Sequence, residues 1–209
     1  MAPKVKFQRE EIVAAALATV QEKGIDGLTA REVAQRLVVS TRPIFTWYRS
    51  MEDLRRDVFD LARSRYREHI EAGLAEPIPF LGVWRQYLMF AQTEPELYKL
   101  LFLTPPDGAV GGAVEALTFS QALARPSIMA IYRMDERAAD GFFRDIWLAA
   151  FSYATLIVTG NCPYSLDEML SVGAELSLSV CKAYKEVPGL VEGTYDKDAV
   201  FRELIAREA

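Results

Sequence analysis

The sequence predicts an all-α protein, with a three-helix helix-turn-helix domain at the N-terminus and a larger helical domain after it. Three observations predict this. Apolar residues recur at helical spacing through most of the chain. Residues 28–48 divide into two short helices around a tight turn. The last third holds two long helices that are apolar on most of their circumference.

Helix 1 is expected over 8–23, with Ile12, Ala16 and Val20 on one face and Gly24 just past its end. Thr29 opens the second helix with Glu32 three residues on, the spacing of a capping box, and Val33, Ala34 and Leu37 form its apolar face. Ser40 is the expected N-cap of the third helix, which puts Pro43 in a first turn whose N–H groups have no intrahelical partner. Ile44, Phe45 and Tyr48 then recur at helical spacing, and Thr41, Arg42, Thr46 and Trp47 are left facing outward. Two helices this short around a tight turn read as a helix-turn-helix whose second helix enters a DNA major groove. Ser50 and Asp53 start a fourth helix that reaches to about 72. Leu54, Val58 and Leu61 form its inner face, and charge dominates residues 63–71, as in a connector with one solvated side.

Two prolines in residues 73–79 place a domain boundary there, between a domain at 1–57, with its connector, and a second at 73–209. A helix over 80–93 carries Leu81, Trp84, Leu88 and Ala91, and Pro95 restarts the chain into 96–102. A Pro- and Gly-rich loop over 104–112 precedes shorter helices at 113–124 and 126–132. Residues 136–160 and 165–186 form the long pair, expected to be antiparallel. In the second, Leu166, Leu170, Gly173, Ser177, Val180 and Tyr184 make one seam, and Met169, Val172, Leu176 and Ala183 another. One seam can pack on its own domain while the other needs a partner, and Ala149, Ala150, Ala154, Gly173 and Ala174 would let helices approach closely. The expectation is a two-fold dimer built as a four-helix bundle; the alternative buries both seams within one monomer.

A chain that is 51% hydrophobic and 25% charged is globular rather than disordered. The net charge of −5 is unevenly spread: residues 1–57 hold ten Lys/Arg against eight Asp/Glu, and the remainder fourteen against twenty-one. The helix-turn-helix segment is thus the positive part, which favours a nucleic-acid partner for it. Cys162 and Cys181 show no pairing pattern, residues 1–6 lack the apolar run of a signal peptide, and the protein is expected in the cytoplasm. Residues 146–166 carry no charge, but Gly160, Asn161 and Pro163 interrupt them before the ~20 apolar residues of a membrane span are reached.

Residues 8–54 resemble the DNA-binding domain of the TetR family of transcriptional regulators. The resemblance rests on helix 1 ending at Gly24, Thr29, Val33-Ala34 with Leu37, Ser40, the Ile44-Phe45 pair, Tyr48, and the start of helix 4 at Glu52 to Leu54. It implies a TetR-like fold with a C-terminal ligand-binding and dimerisation domain, and a homodimeric repressor released from a palindromic operator by a small-molecule inducer. Three positions depart from the family pattern. Val38 stands where glycine is frequent in the turn, Met51 where a lysine commonly opens helix 4, and Phe45 where a tyrosine usually meets phosphate.

Expected DNA contacts are Thr29 and Arg31 at the start of helix 2, and Ser40, Thr41, Arg42, Pro43, Thr46, Trp47 and Tyr48 in and around helix 3. Arg42 is suited to guanine O6/N7, a pairing worth ~1–3 kcal/mol of discrimination. Lys4 and Lys6 are a possible basic arm or a solubilising tail. Trp84, Tyr87, Phe90, Tyr98, Phe102, Phe143, Trp147 and Phe151 form the expected ligand-binding set, an apolar pocket between helices. Catalysis is not expected: His69 is the sole histidine, placed on the charged part of helix 4 and read as solvent-exposed. The G-x-S-x-G and H-E-x-x-H motifs, a phosphate-cradling loop and metal-ligand spacing are all missing, and no cofactor is expected. A rival reading is a dimeric ligand- or protein-binding module with reduced DNA binding, motivated by Phe45, Met51 and the small positive excess.

Overall fold

A computed structural model of the protein describes residues 7–104 and 112–206. Lys4, Lys6 and most of the Pro/Gly loop lie outside them. The described residues are helical and contain no strand. The elements are α1 (Arg9–Lys23), α2 (Ala30–Arg36), α3 (Ile44–Trp47), α4 (Met51–Leu74), α5 (Pro79–Thr93), α6 (Pro95–Tyr98), α7 (Ala113–Tyr132), α8 (Glu136–Val158), α9 (Leu166–Glu186) and α10 (Lys197–Ala206).

The N-terminal core forms where α1 and α4 cross. Ile12, Ala16, Val20, Leu28, Val33, Ile44, Leu54 and Val58 are all at most 1% exposed. Thr29 accepts the Glu32 N–H at 3.2 Å, but the box is only half closed, because the Glu32 carboxylate pairs with Lys23 of α1 instead. Ser50 caps α4 by accepting the Asp53 N–H at 3.2 Å. The stripe Leu54–Val58 continues through Ala62, Tyr66 and Ile70 to Gly73, so one side of the charge-rich half of α4 is buried. His69 belongs to that contact: its Nδ1 is 3.0 Å from Gln86 Oε1 and its ring meets Phe90, so it is half-buried rather than solvated.

Helices α4 and α5 meet backbone to backbone. A Cβ on Gly82 would fall 2.2 Å from the Gly73 carbonyl oxygen, and one on Gly73 2.6 Å from the Gly82 carbonyl carbon, so only glycines allow the crossing. After α6 the chain widens into a π-helical turn over Lys99–Leu103. α7 runs unbroken through Pro126 where two separate helices were expected. Proline gives up one N–H there, and the buried Ala116, Ser120, Ala124 and Ile128 hold both halves on one line against the core.

α8 and α9 pack antiparallel: Tyr184, near the end of α9, lies against Gly141 in the first half of α8 and donates to Asp145 at 2.8 Å. By length and composition α8 would pass for a membrane-crossing helix. It is instead a core helix, with Ala139, Phe142, Phe143, Ile146, Trp147, Ala150 and Ala154 buried against its neighbours. Ser165 and Glu168 cap α9 reciprocally, at 2.7 and 3.3 Å. Met169, Gly173 and Ser177 are buried, while Leu166, Leu170, Leu176, Val180, Cys181 and Tyr184 are half-buried, so neither seam is closed within the monomer. Gly173 makes room for the protein's own α5: a Cβ there would stand 2.5 Å from the Trp84 ring, whose indole N–H donates to the Met169 carbonyl at 3.1 Å. Ala150 and Ala154 also face inward, which leaves Ala149 and Ala174 half-exposed. α10 was not foreseen; none of its residues is buried.

Candidate nucleic-acid interface and aromatic core

Helix α3 is a single turn, Ile44–Trp47, led in by Thr41, Arg42 and Pro43. The Phe45 N–H reaches the Thr41 carbonyl at 3.4 Å and the Thr46 N–H the Arg42 carbonyl at 3.2 Å. Ser40 makes no side-chain cap, contrary to expectation, since helical bonding begins at Thr41. Ile44 is fully buried, and residues around it fan outward: Ser40, Thr41, Arg42, Phe45, Thr46 and Trp47 are exposed and Pro43 is half-buried. The Arg42 guanidinium has no hydrogen bond or ion pair within the described residues and is free to meet a ligand. Trp47 is partly tethered, with its indole N–H donating to the Phe7 carbonyl at 3.0 Å.

Phe45, in α3, faces opposite to its expected side, and Tyr48, directly after the helix, is not placed as the expected DNA contact. Phe45 points outward, 49% exposed, because adjacent helical residues diverge by about 100° and Ile44 already holds the inward position. Tyr48 turns inward. Its backbone is extended, at φ −116° and ψ 133°, which leaves the helix and swings the ring into the core, 3% exposed. Tyr48 is therefore no surface DNA contact. Its hydroxyl donates to Asp57 Oδ2 at 2.6 Å, and Arg9 grips the same carboxylate at 2.8 and 2.9 Å, which ties the end of α3 to both α4 and α1. Burial, and then the carboxylate beside it, push the Tyr48 hydroxyl up to about 12.

Thr29 and Arg31 are exposed at the start of α2. Arg49, which the sequence reading passed over, is exposed directly after Tyr48, and its side chain has no partner among the described residues. Its signal was its position between the recognition helix and the cap of α4.

The turn itself is left-handed: Val38 has φ 56°. Its N–H bonds the Gln35 carbonyl at 3.1 Å and the Val39 N–H bonds the Ala34 carbonyl at 3.0 Å, the bond pair that usually closes a helix on glycine. The turn has kept its geometry and carries the strain of a β-branched residue, of order 1–2 kcal/mol.

The eight aromatics expected to line a pocket come together in one cluster. Seven are at most 4% exposed and Phe151 is half-buried, stacked on Trp147 at 5.2 Å. Tyr66 of α4, missed because it sits in a charge-rich stretch, lies at the centre, 5.1 Å from Phe102, 5.4 Å from Phe90 and 6.0 Å from Tyr87. Phe80 joins from the start of α5. The polar atoms pair among themselves, Tyr66 with Ser120 at 2.7 Å and Tyr87 with Tyr98 at 3.1 Å. Trp147 Nε1 is buried without an acceptor at ordinary geometry. The pocket is closed: the space between Trp84, Tyr87, Phe143 and Trp147 measures about 20 Å³, room for one water at most. Burial raises the Tyr66, Tyr87 and Tyr98 hydroxyls, Tyr98 to about 12. A wider polar cleft of about 700 Å³ opens on the outer side, between Arg137, Asp140 and Arg144 of α8 and Tyr184 and Val191.

The two regions are joined by Glu94, between α5 and α6. It accepts from Gln21 of α1 at 2.7 Å and from Arg65 of α4 at 3.2 Å. Beside it, Glu96 packs over Gly24, the end of α1.

Residues 12–58, which contain the helix-turn-helix just described, match the family model for bacterial regulatory proteins of the tetR family. Residues 12–58 therefore carry a DNA-binding domain of the tetR type. Among solved structures, a protein of unknown function from Rhodococcus sp. RHA1 is similar at 22% identity, over 86% of this chain and 98% of its own, with a TM-score of 0.66. A TetR-like transcriptional regulator from Rhodococcus sp. RHA1 is similar at 13% identity, over 81% of this chain and 92% of its own, with a TM-score of 0.58. At such identities the two structures speak for the TetR-like fold alone. No curated protein matches the sequence.

Proposed function

We propose that the chain is a homodimeric repressor that binds a palindromic operator through its two helix-turn-helix units and leaves it when a small molecule enters the C-terminal aromatic cluster. The observation that carries the DNA-binding half is the outward fan of Ser40, Thr41, Arg42, Thr46 and Trp47 around a buried Ile44, with the unpaired Arg42 in front. Arg42 reads a base, Thr41 and Thr46 meet base edges, and Thr29, Arg31 and Arg49 meet phosphates. Two recognition helices about 34–36 Å apart reach successive major grooves on one face of the DNA.

The dimer reading is supported by the open flanks of α8 and α9, where Leu148 is 49% and Leu178 58% exposed. An inducer lodged among Trp84, Tyr87, Phe90, Tyr98, Phe102, Phe143, Trp147 and Phe151 needs ~300 Å³ or more, so it must wedge α5 away from α8. Tyr98 and Phe102 lie directly beyond Glu94 and Glu96, which touch α1, so such a displacement reaches the DNA-binding domain through contacts already made. The inducer's preference for the wedged state sets how far DNA affinity falls. The protein acts on cytoplasmic DNA and performs no catalysis.

The test is selection of genomic DNA fragments by the purified protein with Arg42→Ala in parallel. The expected result is a shared inverted repeat, recovered at least tenfold less well by the variant, the worth of a bidentate base contact of ~1–3 kcal/mol. No enrichment at moderate salt would favour the second reading, a binding module with reduced DNA contacts. Phe45 without a hydroxyl and Met51 in place of a cation are the observations on its side.

A further inference from the structure

Val38 sits where a valine fits badly. At φ 56° its branched Cβ crowds the following carbonyl, and a glycine would make both helix-closing bonds without that strain. Packing inside the protein could offset the strain, but the side chain is 86% exposed, the most open of the large hydrophobics among the described residues. Nothing within the monomer compensates for it. Seven residues on, Phe45 is 49% exposed beside a fully buried Ile44. These two apolar side chains are exposed among Ser40, Thr41, Arg42, Thr46 and Trp47, whose indole is tethered to the Phe7 carbonyl. An apolar face interrupted by hydroxyls and a guanidinium is too broken to dock a protein through hydrophobic contact. It does match the edge of a major groove, where thymine methyl groups alternate with hydrogen-bonding atoms.

We propose that Val38 and Phe45 are specificity-determining residues that contact thymine C5-methyl groups in the operator, beside the base read by Arg42. The assignment rests on the DNA-binding reading above and names part of the sequence that it recognises. Each half-site carries thymines flanking the position met by Arg42, and the strained valine gains its contact only on DNA.

The experiment uses the full chain and a duplex carrying the selected inverted repeat. Thymine is replaced by uracil at one position at a time in both half-sites, which removes the methyl group and nothing else. Wild-type affinity is expected to fall about fourfold per lost methyl at one or two positions of each half-site, the equivalent of one buried methylene (~0.8 kcal/mol). V38G should be insensitive to uracil at one of these positions and F45A at another. V38G should also unfold at a higher temperature than wild type while binding the thymine duplex less tightly, a combination that a damaged fold does not give. Equal affinity for thymine and uracil duplexes at every position overturns the assignment, as does a V38G variant that keeps wild-type affinity and uracil sensitivity. If the chain selects no sequence at all, the regulator reading falls, and this assignment falls with it.

Discussion

Trp47 in the helix-turn-helix is 42% exposed and hangs its indole N–H on a backbone carbonyl, whereas Trp147 in the C-terminal core is 4% exposed among Tyr87, Phe102 and Phe151. The same side chain serves as surface in one region and as interior in the other. The contrast extends to the neighbours. Around Trp47 lie hydroxyls and arginines with room to meet a partner; around Trp147 lie rings whose few polar atoms satisfy one another. One region is built to be read from outside, and the other must open before it can hold anything.

Alkali should give the largest effect, and in both regions. Tyr66, Tyr87 and Tyr98 have hydroxyls raised above the ordinary value of about 10 by burial, and Tyr48 and Tyr184 are each raised to about 12. A raised folded-state pKa means that the stabilisation is fully present below pH ~10 and lost as pH climbs through the folded value. Stability should stay level in this respect up to pH ~9 and then collapse between pH ~10 and 12, with tyrosinate absorbance rising together with loss of helix. Tyrosinate forming well before unfolding would show that the core admits water.

Truncation comes next. Trp147→Ala should lower unfolding free energy by ~3–5 kcal/mol in urea titration, as large-to-small changes in packed cores do. Trp47→Ala should cost no more than ~1 kcal/mol, since the ring is 42% exposed and outside the packed core. Similar losses would erase the contrast. A comparably small effect is expected where the two regions meet. Glu94→Ala removes the bonds to Gln21 and Arg65, side chains that are partly solvated, so about 1 kcal/mol is expected. Operator affinity without a small molecule should be unchanged, and a loss of affinity would mean that Glu94 positions the helix-turn-helix in the resting state.

Much of the fold was legible because its determinants are local. α1, α4, α8 and α9 announced themselves by apolar periodicity, and Ser165 with Glu168 capped α9 as their spacing required. Thr29 and Glu32 have the same spacing, but Lys23, nine residues earlier in sequence, captures the glutamate, a competition that no local pattern displays. Phe45 was misjudged because it was grouped with Ile44, although adjacent helical residues diverge by about 100°, whereas Tyr48, four residues after Ile44, lies inward as that spacing implies and was wrong only as a DNA contact. Tyr66 was hidden by the charges around it, although its step of four from Ala62 continued the buried stripe. The aromatic set was legible as a group, whereas its closed state depends on how tightly α5 and α8 pack, a property of the pair rather than of either sequence segment.

The crossing at Gly73 and Gly82 has a mechanical consequence. Two helices in backbone contact cannot slide closer, so that point acts as a fulcrum. Helix α4 extends from it to Met51, about 33 Å at 1.5 Å per residue, and ends beside α3. A tilt of about 5° at the fulcrum would swing the far end by about 3 Å over that length. A rearrangement among the rings too small to see as a change of shape would thus become, at the other end of a single helix, a displacement comparable to the rise of two residues.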